Sequence, residues 1–219
     1  SLAQTVGEFG IPALTFDWYG TGDSGGEDGE LSLPGMLDDL DRACAEVLRR
    51  GEVASVQFLA LRSAALPLMA ALERRVDAVD IVLWDPQLDG AKLVASWKAQ
   101  HRQQLHESGR YVNVAHDSDA DELLGFGVTD TLLDALSGLD AAHIRLPSGS
   151  RVRMAVWEMD EDLDRFAREQ RAGGVSVEAV LLDEGERPEW NVPSRFGGQV
   201  FPRRAVAQLA QRMTAQVPW

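Results

Sequence analysis

A strand-sized apolar run at residues 53–61 passes into a second apolar run at 64–72 with only Arg62 and Ser63 between them. The second run is dense in Ala and Leu and reads as a buried helix. A strand that turns directly into a helix belongs to chains that alternate the two around one sheet. The remaining segments keep that alternation. Strands are expected at 11–16, 79–83, 152–157 and 175–182, and helices at 34–50, 161–171 and 202–216. Residues 2–9 read as the end of a helix closed by Gly10. Residues 87–147 read as mostly helical, with breaks near Gly109, Gly125, Gly127 and Gly138. That is too long for an ordinary connection of about 4–6 residues, so it reads as an inserted lid. A chain of 219 residues suits one sizeable core. The expected architecture is a three-layer α/β/α sandwich with a mostly parallel sheet. Its core takes residues 1–86 and 148–219, and its helical lid takes 87–147.

Charge and composition exclude several functions. The formal net charge is -14. An acidic surface repels phosphate backbones and anionic lipid, which argues against nucleic-acid and membrane partners. No apolar run is long enough for a membrane span. Cys44 is the only cysteine, so neither an intrachain disulfide nor a thiolate zinc site can form, and a cytoplasmic setting is expected. His101 and His106 are five apart, about 140° around a helix, which makes a poor chelate. The acidic run Asp117, Asp119, Asp121 and Glu122 lacks the glycine and terminal glutamate of a calcium loop. No metal and no cofactor is therefore expected.

Three motifs carry more. Gly10-Ile11-Pro12-Ala13-Leu14-Thr15-Phe16-Asp17 leads into Gly20-Thr21-Gly22-Asp23-Ser24, a glycine- and aspartate-rich return after a strand. Phe58-Leu59-Ala60-Leu61-Arg62-Ser63-Ala64-Ala65 sets small residues two before and two after Arg62, as a tight strand-to-helix turn requires. Leu83-Trp84-Asp85-Pro86 ends a strand, with Asp89-Gly90 close behind. Together they resemble the α/β-hydrolase superfamily, in which such a turn is the nucleophile elbow. They look most like its serine aminopeptidase-like, exosortase-system-associated branch, whose elbow reads G-L-R-x-G. Glu122-Leu123-Leu124-Gly125-Phe126 resembles a lid helix of that branch. The resemblance implies a hydrolase fold lacking its first strands, which would lie upstream of Ser1 together with one oxyanion donor.

The departures matter as much. A triad needs a nucleophile, a base bonded to it and an acid orienting the base. Arg62 fills the nucleophile position, and a guanidinium cannot attack a carbonyl. Glu158 and Asp160 are available as the acid. No histidine follows the last expected strand; His101, His106, His116 and His143 all lie in the expected lid. Ser63 could act as a displaced nucleophile with His101 or His143 as base, or simply cap the following helix. Arg62 could anchor a carboxylate or phosphate bidentately, or pair with Asp17, Asp23, Asp85 or Glu158. Trp84, Trp157 and Trp190 fall at expected strand ends, where open α/β sheets bind ligands. The candidate ligand-binding set is Arg62, Asp23, Trp84, Asp85 and Trp190.

Two functions from different classes follow. One is a catalytically degenerate protein binding a small acyl or carboxylate ligand under the lid. The other is an active esterase, thioesterase, peptidase or acyltransferase using Ser63. The expected partner is a small molecule, with a homodimer or a biosynthetic-cluster protein left open.

Overall fold

The computed structural model describes residues 1–107, 122–188 and 202–214. A four-stranded parallel sheet runs β1 (Gln57–Leu61), β2 (Asp80–Trp84), β5 (Arg151–Val156) and β6 (Ser176–Leu181), in that spatial order. Alternate side chains face opposite ways, as a pleated strand dictates. On one side Ile81, Leu83, Val152, Met154 and Val156 join α3 (Ala65–Leu72) and α6 (Glu161–Ala172) in the larger core. On the other side Val82, Trp84, Ala155 and Trp157 pack against α7 (Arg203–Met213), which also touches α1 (Leu2–Glu8). The result is the expected three-layer α/β sandwich.

Local chemistry sets the helix ends. α2 (Leu33–Gly51) starts at Ser32, whose hydroxyl accepts the Gly35 N–H at 3.3 Å, with Pro34 in the first turn. Met36, Leu40 and Cys44, four apart, form its buried stripe. It ends at Glu52, which takes a left-handed φ of 50°. α6 is capped by Asp160, whose carboxylate accepts the Leu163 N–H at 2.9 Å. Its inner face holds Phe166, fully buried.

Between β2 and β5 lie α4 (Gly90–Glu107), a hairpin of β3 (Glu122–Leu123) and β4 (Phe126–Gly127), and α5 (Asp130–Ser137). Val94, Leu123, Leu132, Leu133 and Leu136 make a small core of their own here. Polar links tie this stretch to α6. Lys92 donates to Asp162 at 2.6 Å, Arg165 donates to Asp140 at 2.8 Å, and the buried Gln170 amide donates to the Ala141 and Ile144 carbonyls at 3.2 and 2.7 Å. Gly90 is wedged in: a Cβ there would lie 1.8 Å from the Leu136 carbonyl oxygen.

Three expectations are corrected. Residues 11–16 form no strand, and Ile11, Leu14 and Phe16 remain exposed. Apolar composition makes a strand only where a neighbouring edge is in reach, and here the segment pairs with none of the described strands. Residues 53–56 are likewise irregular, so β1 starts at Gln57. The stretch from Glu122 to Phe126 is a hairpin rather than a helix, because Leu124 and Gly125 take left-handed φ values of 57° and 91° at its turn. His101 Nδ1 accepts the Leu124 N–H at 3.1 Å and holds that turn.

Candidate functional site

The rim at the C-terminal ends of β1 and β2 is built by register. Leu61 pairs with Trp84 across the ladder, so the next residues, Arg62 and Asp85, emerge side by side. Both carry left-handed backbones, with φ of 53° and 46°. For residues with a Cβ this is uncommon and strained, and such outliers gather at functional turns. After Arg62 the chain makes one 3-10 turn (Arg62–Ala64) and enters α3. Ala60 and Ala65 are buried there, which lets strand and helix approach closely. A sharp, strained strand-to-helix bend is therefore present, with Arg62 at its apex.

The side chains meet as well. Arg62 Nη1 donates to Asp85 Oδ2 at 2.6 Å, with the two side chains 21% and 23% exposed. The Gln87 N–H donates to the Arg62 carbonyl at 3.2 Å, and the Asp85 N–H to the Ala155 carbonyl at 2.9 Å. Two strand exits are thus cross-linked through both main chain and side chain. Four acids were candidates for pairing with Arg62 on sequence alone; the register selects Asp85.

The other candidates have other neighbours. Glu158, just past β5, accepts from Arg187 at 2.8 Å, and Arg187 also reaches Glu184 at 3.2 Å. The hydrogen bond and charge of Arg187 hold the Glu158 carboxyl below its ordinary range, and Glu158 raises Arg187 in turn. Asp160 is spent on the cap of α6. Ser63 lies within the 3-10 turn and does not cap α3, whose N-cap is Ala64 with no side-chain bond; this corrects the capping expectation. The two candidate bases are engaged elsewhere, His101 with Leu124 and His143, 3.2 Å away, with Asp140. Asp17 Oδ2 accepts the Asp23 N–H at 3.1 Å, and a Cβ on Gly22, whose φ is 54°, would lie 2.5 Å from that same oxygen. The glycine is thus required by the return, and Asp23 itself is exposed.

Trp84 and Trp157 are buried on the α7 side of the sheet, and neither indole N–H has a hydrogen-bond partner among the described residues. Trp190, His116 and the acids at 117, 119 and 121 lie outside the described residues. Among the described residues no cluster of His, Cys, Asp or Glu is arranged to hold a metal ion, and no helix is long and apolar enough to cross a membrane. Sequence reasoning missed Arg187, whose signal was its place in the segment where a base was expected.

No family model and no curated protein matches the chain. Among solved structures, a presumed hydrolase from Agrobacterium vitis S4 is similar over 98% of this chain and 80% of its own, at 19% identity and a TM-score of 0.57. An AqdC variant that recognises and cleaves the ring of the Pseudomonas quinolone signal, solved with its substrate, aligns over 91% of this chain and 79% of its own. Its identity is 16% and its TM-score 0.42, too loose an overlap to argue from. At these identities the likeness speaks to architecture alone, and the architecture it supports is the three-layer α/β sandwich with a mostly parallel sheet.

Proposed function

We propose that this chain is a catalytically degenerate α/β-hydrolase-fold protein that binds a small acyl or carboxylate-type ligand. In this reading residues 87–147 are the lid, and Arg62 is the polar anchor beneath it. The observation that carries the reading is the Arg62–Asp85 pair at the apex of a strained strand-to-helix bend. A cation stands where a nucleophile would be held, and the strain that presents it has been kept. Glu158, the acid candidate, is tied to Arg187, and the candidate bases are tied elsewhere.

A planar guanidinium offers five N–H donors in a fork that suits a carboxylate. A ligand carboxylate would join or displace Asp85 on that fork, so affinity should depend on Arg rather than on charge alone. The test has two arms. A fluorophosphonate probe and p-nitrophenyl esters are offered to the protein, and decanoate binding is followed by titration calorimetry. The expected outcome is no labelling, no turnover, and decanoate binding lost in Arg62→Met and weakened in Arg62→Lys. Labelling or turnover abolished by Ser63→Ala would instead establish an active serine hydrolase.

A further inference from the structure

The hairpin between α4 and α5 carries a local conflict. β3 and β4 pair only at Glu122–Gly127 and Leu123–Phe126. The two residues that join them, Leu124 and Gly125, both have left-handed backbones. Tight hairpin turns with two such residues are ordinarily filled by Asn-Gly or Gly-Gly. A leucine there is strained, because its Cβ crowds the following carbonyl. Strain of this sort persists only where the surroundings hold it.

The Leu124 N–H donates to His101 Nδ1 of α4 at 3.1 Å, and the Gly127 N–H donates to Asp28 Oδ2 at 3.3 Å. Leu123 is buried in the small core with Val94, Leu132, Leu133 and Leu136, and Leu124 packs against that core. The first bond falls on the strained residue itself and is partly buried, whereas the second is exposed. A ring nitrogen that accepts an N–H carries no proton, so His101 is neutral in this arrangement, with its hydrogen on Nε2. A proton on Nδ1 would set donor against donor and strand the Leu124 N–H. Imidazole is the side chain whose charge ordinarily changes between about pH 5 and 8.

The elements packed here bring further charges. β3 carries Glu122, the 3-10 turn Asp28–Glu30 carries Asp28 and Glu30, and α5 carries Asp130 and Asp134. On α4 itself Lys98 precedes His101 by one turn, Arg102 follows it, and His106 projects from another side of the helix. The Lys92, Asp162 and Arg165 charges lie more than two turns away along α4. What a proton could release is limited in extent. Leu88 and Leu93 at one end of this stretch, and Ala141 and Ile144 at the other, belong to the main core and anchor α4 and α5.

We propose that residues 122–127 form an acid-released flap. Neutral His101 pins the strained Leu124 turn to α4; protonated His101 lets it go, and Leu123 leaves the small core. The pin is present while the ring is neutral and is lost as the pH falls. This inference is independent of the reading of Arg62.

Amide hydrogen exchange of the full chain is followed at about pH 8 and about pH 5, each rate being compared with that of an unstructured chain at the same pH. The expected result is protection at residues 122–127, Leu124 above all, lower by about tenfold or more at the acid pH, with α5 and α6 unchanged. His101→Asn keeps an acceptor that does not titrate and should stay protected at both pH values. His101→Leu has no acceptor and should be open at both. No acid step in the unaltered chain, a step that survives in either variant, or a loss of protection shared equally by α5 and α6 would overturn the proposal.

Discussion

The left-handed backbone at Arg62 makes an unusual demand that a pair of substitutions can read. Arg62→Ala and Arg62→Gly both delete the side chain and with it the same bond to Asp85, so that loss cancels between them. What remains is the Cβ. A Cβ-bearing residue held in the left-handed region costs about 1–2 kcal/mol, because the Cβ crowds the following carbonyl. Glycine escapes that cost but loses more freedom on folding, by about 0.4–1 kcal/mol relative to alanine. The difference leaves Arg62→Gly more stable than Arg62→Ala by about 0.5–1 kcal/mol. In a chain of this size that is a Tm higher by about 1–4 °C. Arg168, exposed within α6, is the matched control. There the order reverses, with alanine above glycine by about 1 kcal/mol. Urea unfolding of the four variants measures both differences. Arg62→Ala equal to or above Arg62→Gly would mean that the residue is not left-handed in solution, and the strained bend would go with it.

Two further outcomes follow from the structure. Gly90→Ala drives a methyl group into the Leu136 carbonyl and should destabilise by about 1–3 kcal/mol or shift α4 away from α5, seen as a lower urea midpoint and lost protection in both helices. Glu158 is held below its ordinary range by Arg187, so its contribution is present above the free carboxylate's pKa and fades as pH falls through the lowered value. Glu158→Gln should therefore flatten the acid side of a stability-against-pH curve slightly, and leave neutral pH little changed because the pair is exposed.

Much of the sheet was readable from sequence because buried parallel strands are short apolar runs and their helices repeat at 3.6 residues. β2, β5, β6, α2 and α6 fall within a residue or two of expectation. Residues 11–16 were unreadable for a physical reason. Their composition is that of a strand, but pairing depends on an edge in reach, and that is a property of the assembled sheet. The hairpin at Leu124 was hidden because nothing in a leucine announces a left-handed φ; Gly125 alone hinted at a turn. At the rim, sequence named both Arg62 and Asp85 but could not choose between four acids. The choice came from the β1–β2 register, a long-range quantity that no local pattern encodes. Glu158 was likewise named without its cation, since Arg187 arrives from beyond the next strand.

The links between α6 and the stretch after β2 differ in kind. Lys92–Asp162 and Arg165–Asp140 are charge pairs at the surface, whereas the Gln170 bonds are buried and neutral. Dissolved salt weakens the first kind and scarcely touches the second, since the screening distance falls from about 8 Å at physiological ionic strength to about 3 Å at 1 M. Brine would therefore slacken the outer moorings of this stretch, at Lys92 and Asp140, while the tether at Ala141 and Ile144 holds. The freedom of this stretch would then be tuned by the medium, with the sheet beneath it undisturbed.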